Sequence, residues 1–405
     1  MTPSDREAAG QRIARARRRR GLSQAVLAGL VGRSESWLSQ VERGKRGVDS
    51  HSVLVRLAEV LRVDLEELAG PGDQDNGRRS YPAASLIEQA MMGYGAPDPV
   101  DGDEGPAQKV SLDFLHAQAS SAYQAYQATR YDAAGRILPG LIRDVETAVR
   151  VAGSAGPAAC AVRARVYDTV AALLSRVGEP FLAWAAADRA MFAAEQSGDP
   201  LLAAASAWRM SYMITGRKHP QEALGLAMAA AAALERKTRL PSPERLSVYG
   251  ALHLAAATAA AASFDRATTQ SLLGTARGIA DRTGEANHLG TAFGPVNVAI
   301  HAISASLKLG DPRTATETGE ALDLAAMPAD LVGRRAQVSL DLARAYAMTR
   351  KDAAAVNLLL AAERLSPQLV RYDLATRDVL TGLLRREHRP STPELRPLAH
   401  RAGVI

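Results

Sequence analysis

Residues 21–47 read GLSQAVLAGLVGRSESWLSQVERGKRG, and the spacing of small, polar and apolar side chains along them decides what the first part of the chain becomes. Ser23 is a good N-cap, because its hydroxyl can satisfy one of the orphan N–H groups of a first helical turn. Val26, Leu27, Leu30 and Val31 then recur at helical intervals and give that helix one apolar face. Gly32 supplies a stop and Ser34 can cap a second helix two residues later, so two short helices must cross steeply. At about 100° per residue, Trp37, Leu38 and Val41 share one side of the second helix, and Glu35, Ser36, Ser39, Gln40 and Arg43 share the other. The apolar side should pack inward with Trp37 at the rim of the core. The polar side should face out, with Gly44-Lys45-Arg46 directly after it.

The charge distribution singles out the same region. The chain has 405 residues and a formal net charge of +6, yet residues 1–62 hold 13 Arg or Lys against 6 Asp or Glu, leaving 36 against 37 for the rest. All the excess positive charge, including Arg15 and Arg17 to Arg20, therefore lies beside these two helices. This is the footprint of a nucleic-acid arm, which gains affinity by releasing counterions.

The residues from Ser23 to Arg46 closely resemble the helix-turn-helix of the Cro and phage-repressor family, the Xre-type regulators. The resemblance implies that the second helix enters the major groove of double-stranded DNA, with Glu35, Ser36 and Gln40 at base edges. It makes Gln24 a phosphate clamp, and Arg43, Lys45 and Arg46 backbone contacts that set register. Arg33, Ser34 and Ser39 complete the expected DNA-facing set. It also pairs Arg17 with Glu42 as scaffold. Position 35 is Glu where many relatives carry Gln or Ser; a carboxylate repels phosphate but can accept from cytosine N4.

The length points to two or three domains. A single cysteine, Cys160, rules out an intramolecular disulfide framework, fits a reducing cytoplasm, and is expected to be a buried structural thiol. No apolar run needs lipid and no signal segment follows Met1, so a cytoplasmic protein is expected. Residues 1–69 are read as the DNA-binding domain: a first helix over 5–20, the two motif helices, a helix capped by Ser50, and a closing helix over 63–68. Residues 70–110 are read as linker with one short helix near 83–92, between the polar stretches 70–80 and 96–108.

From Ser111 the pattern is almost wholly helical. Gly178-Glu-Pro, Gly198-Asp-Pro and Gly310-Asp-Pro each place a helix stop, a capping acid and a proline allowed in a first turn. Weaker versions fall at Arg130, Gly216, Ser263 and Arg350. Helix pairs repeated this way stack into a solenoid similar to tetratricopeptide-type repeats, with an interval longer than the standard 34 residues. The expected fold is all-α: a five-helix helix-turn-helix domain, then six helix pairs over 111–388 with a last helix at 367–387 as a cap. The tail 389–405 is expected to be loosely held.

The two halves together resemble the peptide-sensing quorum regulators of Gram-positive bacteria, of the actinomycete type. That implies a homodimer gripping an inverted-repeat operator, with a peptide or small-molecule signal in the solenoid's concave groove. Candidate ligand contacts are Phe293, Asn297 and His301, which align at i, i+4 and i+8, with Trp208, Arg209, Tyr212, Tyr249 and His253 as further sets. The other reading makes the solenoid a protein docking scaffold with no small ligand. No paired-histidine metal motif, phosphate-cradling glycine loop, nucleophile elbow or zinc spacing is present, so no enzyme, cofactor or metal is expected.

Overall fold

Two serine hydroxyls set the register of the N-terminal helices. In the computed structural model, which describes residues 3–48, 51–61, 63, 68, 81–93, 111–237 and 242–405, Ser23 Oγ accepts from Val26 N and Ser34 Oγ from Trp37 N, each at 3.2 Å. All regular structure among the described residues is helical, and the chain divides into two compact units, Met1–Ser80 and Tyr81–Ile405.

The first unit contains α1 (Pro3–Arg19), α2 (Gln24–Leu30), α3 (Glu35–Glu42) and α4 (His51–Leu61). Gly32, at φ 69°, turns the chain between α2 and α3, and Arg33 N closes that turn on Ala28 O at 2.8 Å. Ile13, Leu27, Leu38, Leu57 and Leu61 form the centre of a core that also takes in Trp37. A Cβ on Gly10 would lie 2.2 Å from Val41 O, so α1 crosses α3 at backbone contact. Of the expected closing helix, Leu68 is buried in this core, and Arg12 Nε donates to its carbonyl at 2.9 Å. The Ser50 cap, residues 64–67, and the polar stretches 70–80 and 96–108 lie outside the described residues.

The second unit opens with α5 (Ala84–Met92). Its composition suggests a linker helix, but Tyr81, Ala84, Ile87, Ala90 and Met91 are buried in the main core of this unit. Tyr81 OH donates to Tyr131 O at 2.5 Å across the small Gly135, and Arg189 Nη1 donates to Met91 O at 2.6 Å. Its apolar face thus belongs to the solenoid.

Six antiparallel pairs follow: α6 (Leu112–Gln127) with α7 (Tyr131–Val151), α8 (Gly156–Arg176) with α9 (Pro180–Gln196), and α10 (Pro200–Gly216) with α11 (Pro220–Lys237). Then come α12 (Pro243–Ala262) with α13 (Arg266–Thr283), α14 (Pro295–Lys308) with α15 (Pro312–Glu320), and α16 (Val332–Met348) with α17 (Asp352–Leu365). The turn inside every pair carries one residue in the left-handed region. It is glycine at Gly178 and Gly310, but Thr129, Lys218, Phe264 and Arg350 at the others. Alanines such as Ala183, Ala186, Ala187 and Ala190 in α9 are fully buried, and such small side chains let neighbouring helices approach closely. Cys160 is buried, as expected.

The C-terminal end departs from expectation. The single capping helix is broken at Asp373 into α18 (Pro367–Tyr372) and α19 (Leu374–Leu384), because the Asp373 carboxylate caps α19 by accepting from Thr376 N at 2.8 Å. The segment expected to be loose forms α20 (Leu395–Arg401) instead. Leu395 and Leu398 join the main core, and Arg401 makes two 2.7 Å hydrogen bonds to Glu363.

The connection between α13 and α14 crosses the interior of the second unit. Leu289, Gly290 and Ala292 all have positive φ there. Tyr123 OH on α6 donates to Gly290 O at 2.5 Å, and the Gln127 and Asn287 amides exchange hydrogen bonds of 3.2 and 2.9 Å. The fourth and fifth pairs are thereby tied back to the first.

Candidate functional site

In the first unit the polar face of α3 is presented as its wheel predicts. Trp37, Leu38 and Val41 are buried, Glu35, Ser36 and Arg43 are exposed, and Ser39 and Gln40 are half-buried. Arg33 and Ser34 are exposed at the N-terminal end of α3, where Arg33 lies 5.7 Å from the Trp37 ring centroid. Gly44, at φ 69°, reverses the chain so that Lys45 N and Arg46 N bond back to Gln40 O, which leaves the Lys45 and Arg46 side chains exposed beside the helix end.

The scaffold beneath is a buried ion pair. Arg17 Nε and Nη2 reach Glu42 Oε1 and Oε2 at 2.6 and 2.9 Å, while Arg17 Nη1 donates to Leu22 O at 2.8 Å. Gln24 Nε2 donates to Glu42 Oε2 at 2.7 Å, so the amide that the resemblance aims at a phosphate supports this pair. Burial alone would raise the Glu42 carboxyl, but the hydrogen bonds from Arg17 and Gln24 outweigh it and hold its pKa below the ordinary value.

The cavities inside the second unit are lined mainly by the first helices of their pairs, α6, α8, α10 and α16. Two adjoining cavities share Tyr123, Trp208, Arg209 and Gly290. The first adds Tyr126, Gln127, Tyr131, Arg176 and Arg334. The second adds Arg165, Asp168, Leu202, Ala205 and Leu289. Burial pushes the Asp168 carboxyl up to about 6, against the pull of Arg209 and the Ser206 hydrogen bond. Burial also raises Tyr126, yet the charges of Arg176, Arg209 and Arg334 overcome it and its pKa is lowered. The His301 imidazole is driven down to about 3 by burial, then by Arg334 and Arg176.

Of the eight ligand candidates read from sequence, Trp208 and Arg209 line these cavities. Tyr212 meets Trp208 edge-on and stacks on His301, at 5.9 and 6.2 Å between ring centroids. Asn297 is buried with its Oδ1 unpartnered. Tyr249 and His253 pack on each other at 4.6 Å, with His253 Nδ1 2.9 Å from Tyr249 O. Phe293 is a correction: α14 begins only at Pro295, and the Phe293 ring is fully buried in the core on Gly250, where a Cβ would lie 2.0 Å from it. The interior residues not foreseen are Arg176, Arg334, Tyr123, Tyr126 and Asp168. They come from three helices, Tyr123 and Tyr126 from α6, Asp168 and Arg176 from α8 and Arg334 from α16, so no local spacing in the sequence brings them together.

The class defined by these two units is an all-α protein in which a helix-turn-helix domain precedes a solenoid of helix pairs. Residues 8–69 match the family described as "Helix-turn-helix domain". The chain is also similar to Bacillus thuringiensis PlcR, whose crystal structure is in complex with the peptide PapR7 and DNA. The identity is 13 %, covering 87 % of this chain and 99 % of that one, with a TM-score of 0.36. No curated protein matches the chain. No helix among the described residues is long and apolar enough to cross a membrane.

Proposed function

We propose that the chain is a cytoplasmic, sequence-specific DNA-binding transcriptional regulator whose solenoid senses a small signal and controls a homodimer's grip on an inverted-repeat operator. The observation that carries this reading is the exposed polar face of α3 on a domain of the helix-turn-helix family, flanked by Arg43, Lys45 and Arg46. Glu35, Ser36 and Gln40 are the proposed base readers, with Arg33, Ser34 and Ser39 beside them. Arg43, Lys45 and Arg46 take phosphates and set register. Gln24 acts chiefly through Glu42. In the second unit Trp208 and Arg209 keep their place as ligand contacts, and Asn297, His301 and Tyr212 extend the same wall.

Selection of an operator from random duplexes, followed by fluorescence anisotropy over a salt series, tests the first half. Gln40→Ala should relax preference at one base position, while Lys45→Ala should weaken all sequences alike and flatten the salt slope by about one unit. Equal losses by both variants on operator and random DNA refute the division of roles. Sedimentation at working concentration tests the dimer.

The docking-scaffold reading draws on one feature, an outer-face stripe on α9 in which Phe181, Trp184 and Phe192 are 73, 40 and 57 % exposed. Loss of operator control on Phe181→Ser with Phe192→Ser, with no response to any small molecule, would favour it.

A further inference from the structure

The interior of the second unit gathers three guanidinium groups from helices far apart in sequence. Arg176, Arg209 and Arg334 come from α8, α10 and α16, and all line the first of the two cavities, to which no carboxylate contributes. Arg176 donates to Gln337 Oε1 at 3.0 Å and faces Asp373. Arg209 faces Asp168, whose Oδ2 also accepts from Ser206 Oγ at 2.9 Å. Arg334 faces Arg176 and the phenols of Tyr212, Tyr126 and Tyr123. Two carboxylates stand against these three charges, and Arg165 adds a fourth guanidinium at the adjoining cavity, so cations are in excess.

A buried cation without a counter-charge is strongly disfavoured, because little water remains to solvate it. Arg209 shows the same deficit at atomic level: the residue is 9 % exposed, and its Nε is buried with no hydrogen-bond partner. The adjoining cavity shares Arg209, adds Arg165 and Asp168, and presents Ala119, Leu202, Ala205, Trp208 and Leu289 as an apolar wall beside them.

We propose that this pair of cavities binds an organic carboxylate, its carboxylate held between Arg209 and Arg334 and its apolar body against Trp208, Leu202 and Leu289. Guanidinium forks match a planar carboxylate bidentately. The assignment rests on the second unit being the sensor, and it names the chemistry sensed. The carboxylate can belong to a free acid or to the C-terminus of a short peptide.

Calorimetry on the full chain separates these, with octanoate against octanamide and the tetrapeptide Leu-Leu-Ala-Leu as acid against its C-terminal amide. At least one acid should bind at least tenfold tighter than its amide. Octanoate alone identifies a free acid, and the peptide acid alone a chain terminus. Arg334→Met should lose at least tenfold in that binding while its thermal midpoint without ligand is no lower than wild type, since it removes an uncompensated cation; Arg209→Lys should weaken binding with its fold intact. Equal binding of acid and amide, binding unchanged in Arg334→Met, or no binding by either acid overturns the assignment. Salt-dependent anisotropy on a duplex, run on the same samples, keeps the two readings apart. A chain that holds DNA but no acid loses only the carboxylate site, and one that holds an acid but no DNA loses only the regulator reading.

Discussion

Removing the Arg17 side chain should come close to unfolding the first unit. Arg17 gives Glu42 hydrogen bonds of 2.6 and 2.9 Å and ties Leu22 O at 2.8 Å, and the two side chains are only 10 and 5 % exposed. Arg17→Met leaves Glu42 with the Gln24 amide alone, and breaking a buried pair from one side costs about 3–5 kcal/mol. Domains stand roughly 0.05–0.15 kcal/mol per residue above unfolding, so a unit of this size has about 3–10 kcal/mol in hand. The single change therefore removes about half of that or all of it. The double variant Arg17→Met with Glu42→Leu replaces the pair by apolar groups of similar volume and should recover most of the loss, since such replacements are often neutral or stabilising. Urea denaturation of the full chain by circular dichroism reads both values, and duplex binding at fixed salt shows whether α3 is still presented. Acid sharpens the test: because the Glu42 pKa is lowered by folding, the pair's contribution is present above the ordinary carboxylate pKa and is lost as pH falls through the folded one. A loss below about 1 kcal/mol for Arg17→Met, or a double variant no better than the single, would refute the claim that this pair holds α1 to α3.

Gly10→Ala should destabilise the same unit by about 1–3 kcal/mol or more, because its Cβ meets backbone, Val41 O at 2.2 Å and Glu42 O at 2.9 Å, which cannot rotate away; an unchanged midpoint would mean that α1 can slide. In the solenoid, Lys218→Gly should stabilise by up to about 1 kcal/mol, since a side chain in the left-handed region is strained there, at φ 67°. Gly310→Ala, at φ 76°, should do the opposite, and thermal melts of the two variants check the pair of signs. His301 is neutral when folded, with its pKa pushed down to about 3, so the stability it contributes is present above its unfolded pKa and drains away as pH falls from about 6.5 toward 3. His301→Gln should accordingly lose less midpoint than wild type over that window. Asp168, raised to about 6, has the opposite sign, so Asp168→Asn should gain on wild type as pH rises through that value.

What could be read from sequence was whatever is decided within a few residues. Ser23 and Ser34 cap helices through hydrogen bonds to groups three positions on, so the α2–α3 turn is legible to the residue. The pairing of helices is legible for the same reason wherever a glycine marks the turn, as at Gly178 and Gly310. At Thr129, Lys218, Phe264 and Arg350 the sign is weaker, an acid or proline after the turn with no glycine in it, because the reversal is imposed by packing of the two helices and the side chain accepts the strain. The helix at Ala84–Met92 and the segment around Leu395 are short and flanked by polar or proline-rich stretches. Their assignment depends on a distant core that takes up Ile87 and Leu398, which composition cannot show.

The interior was harder for a different reason. Aligning Phe293, Asn297 and His301 at four-residue spacing assumes one continuous helix, whereas α14 starts at Pro295 and the residue before its cap is free to turn onto Gly250. Periodicity reports which side chains share a face; it is silent on which other helices that face meets. Arg176, Arg209 and Arg334 meet because three inner helices converge on one cavity, and the 285–293 connection closes against Tyr123 beside it. Each arginine alone reads as an ordinary surface cation near a helix end or an apolar stripe. Their convergence on one cavity is what turns three unremarkable cations into an electrostatic demand, and Arg209, the buried one of the three, with its Nε unpartnered, marks where that demand is unmet. In a solenoid, then, charged residues on the first helices of different pairs are the pattern to look for, because stacking can bring them to one cavity although they lie far apart in sequence.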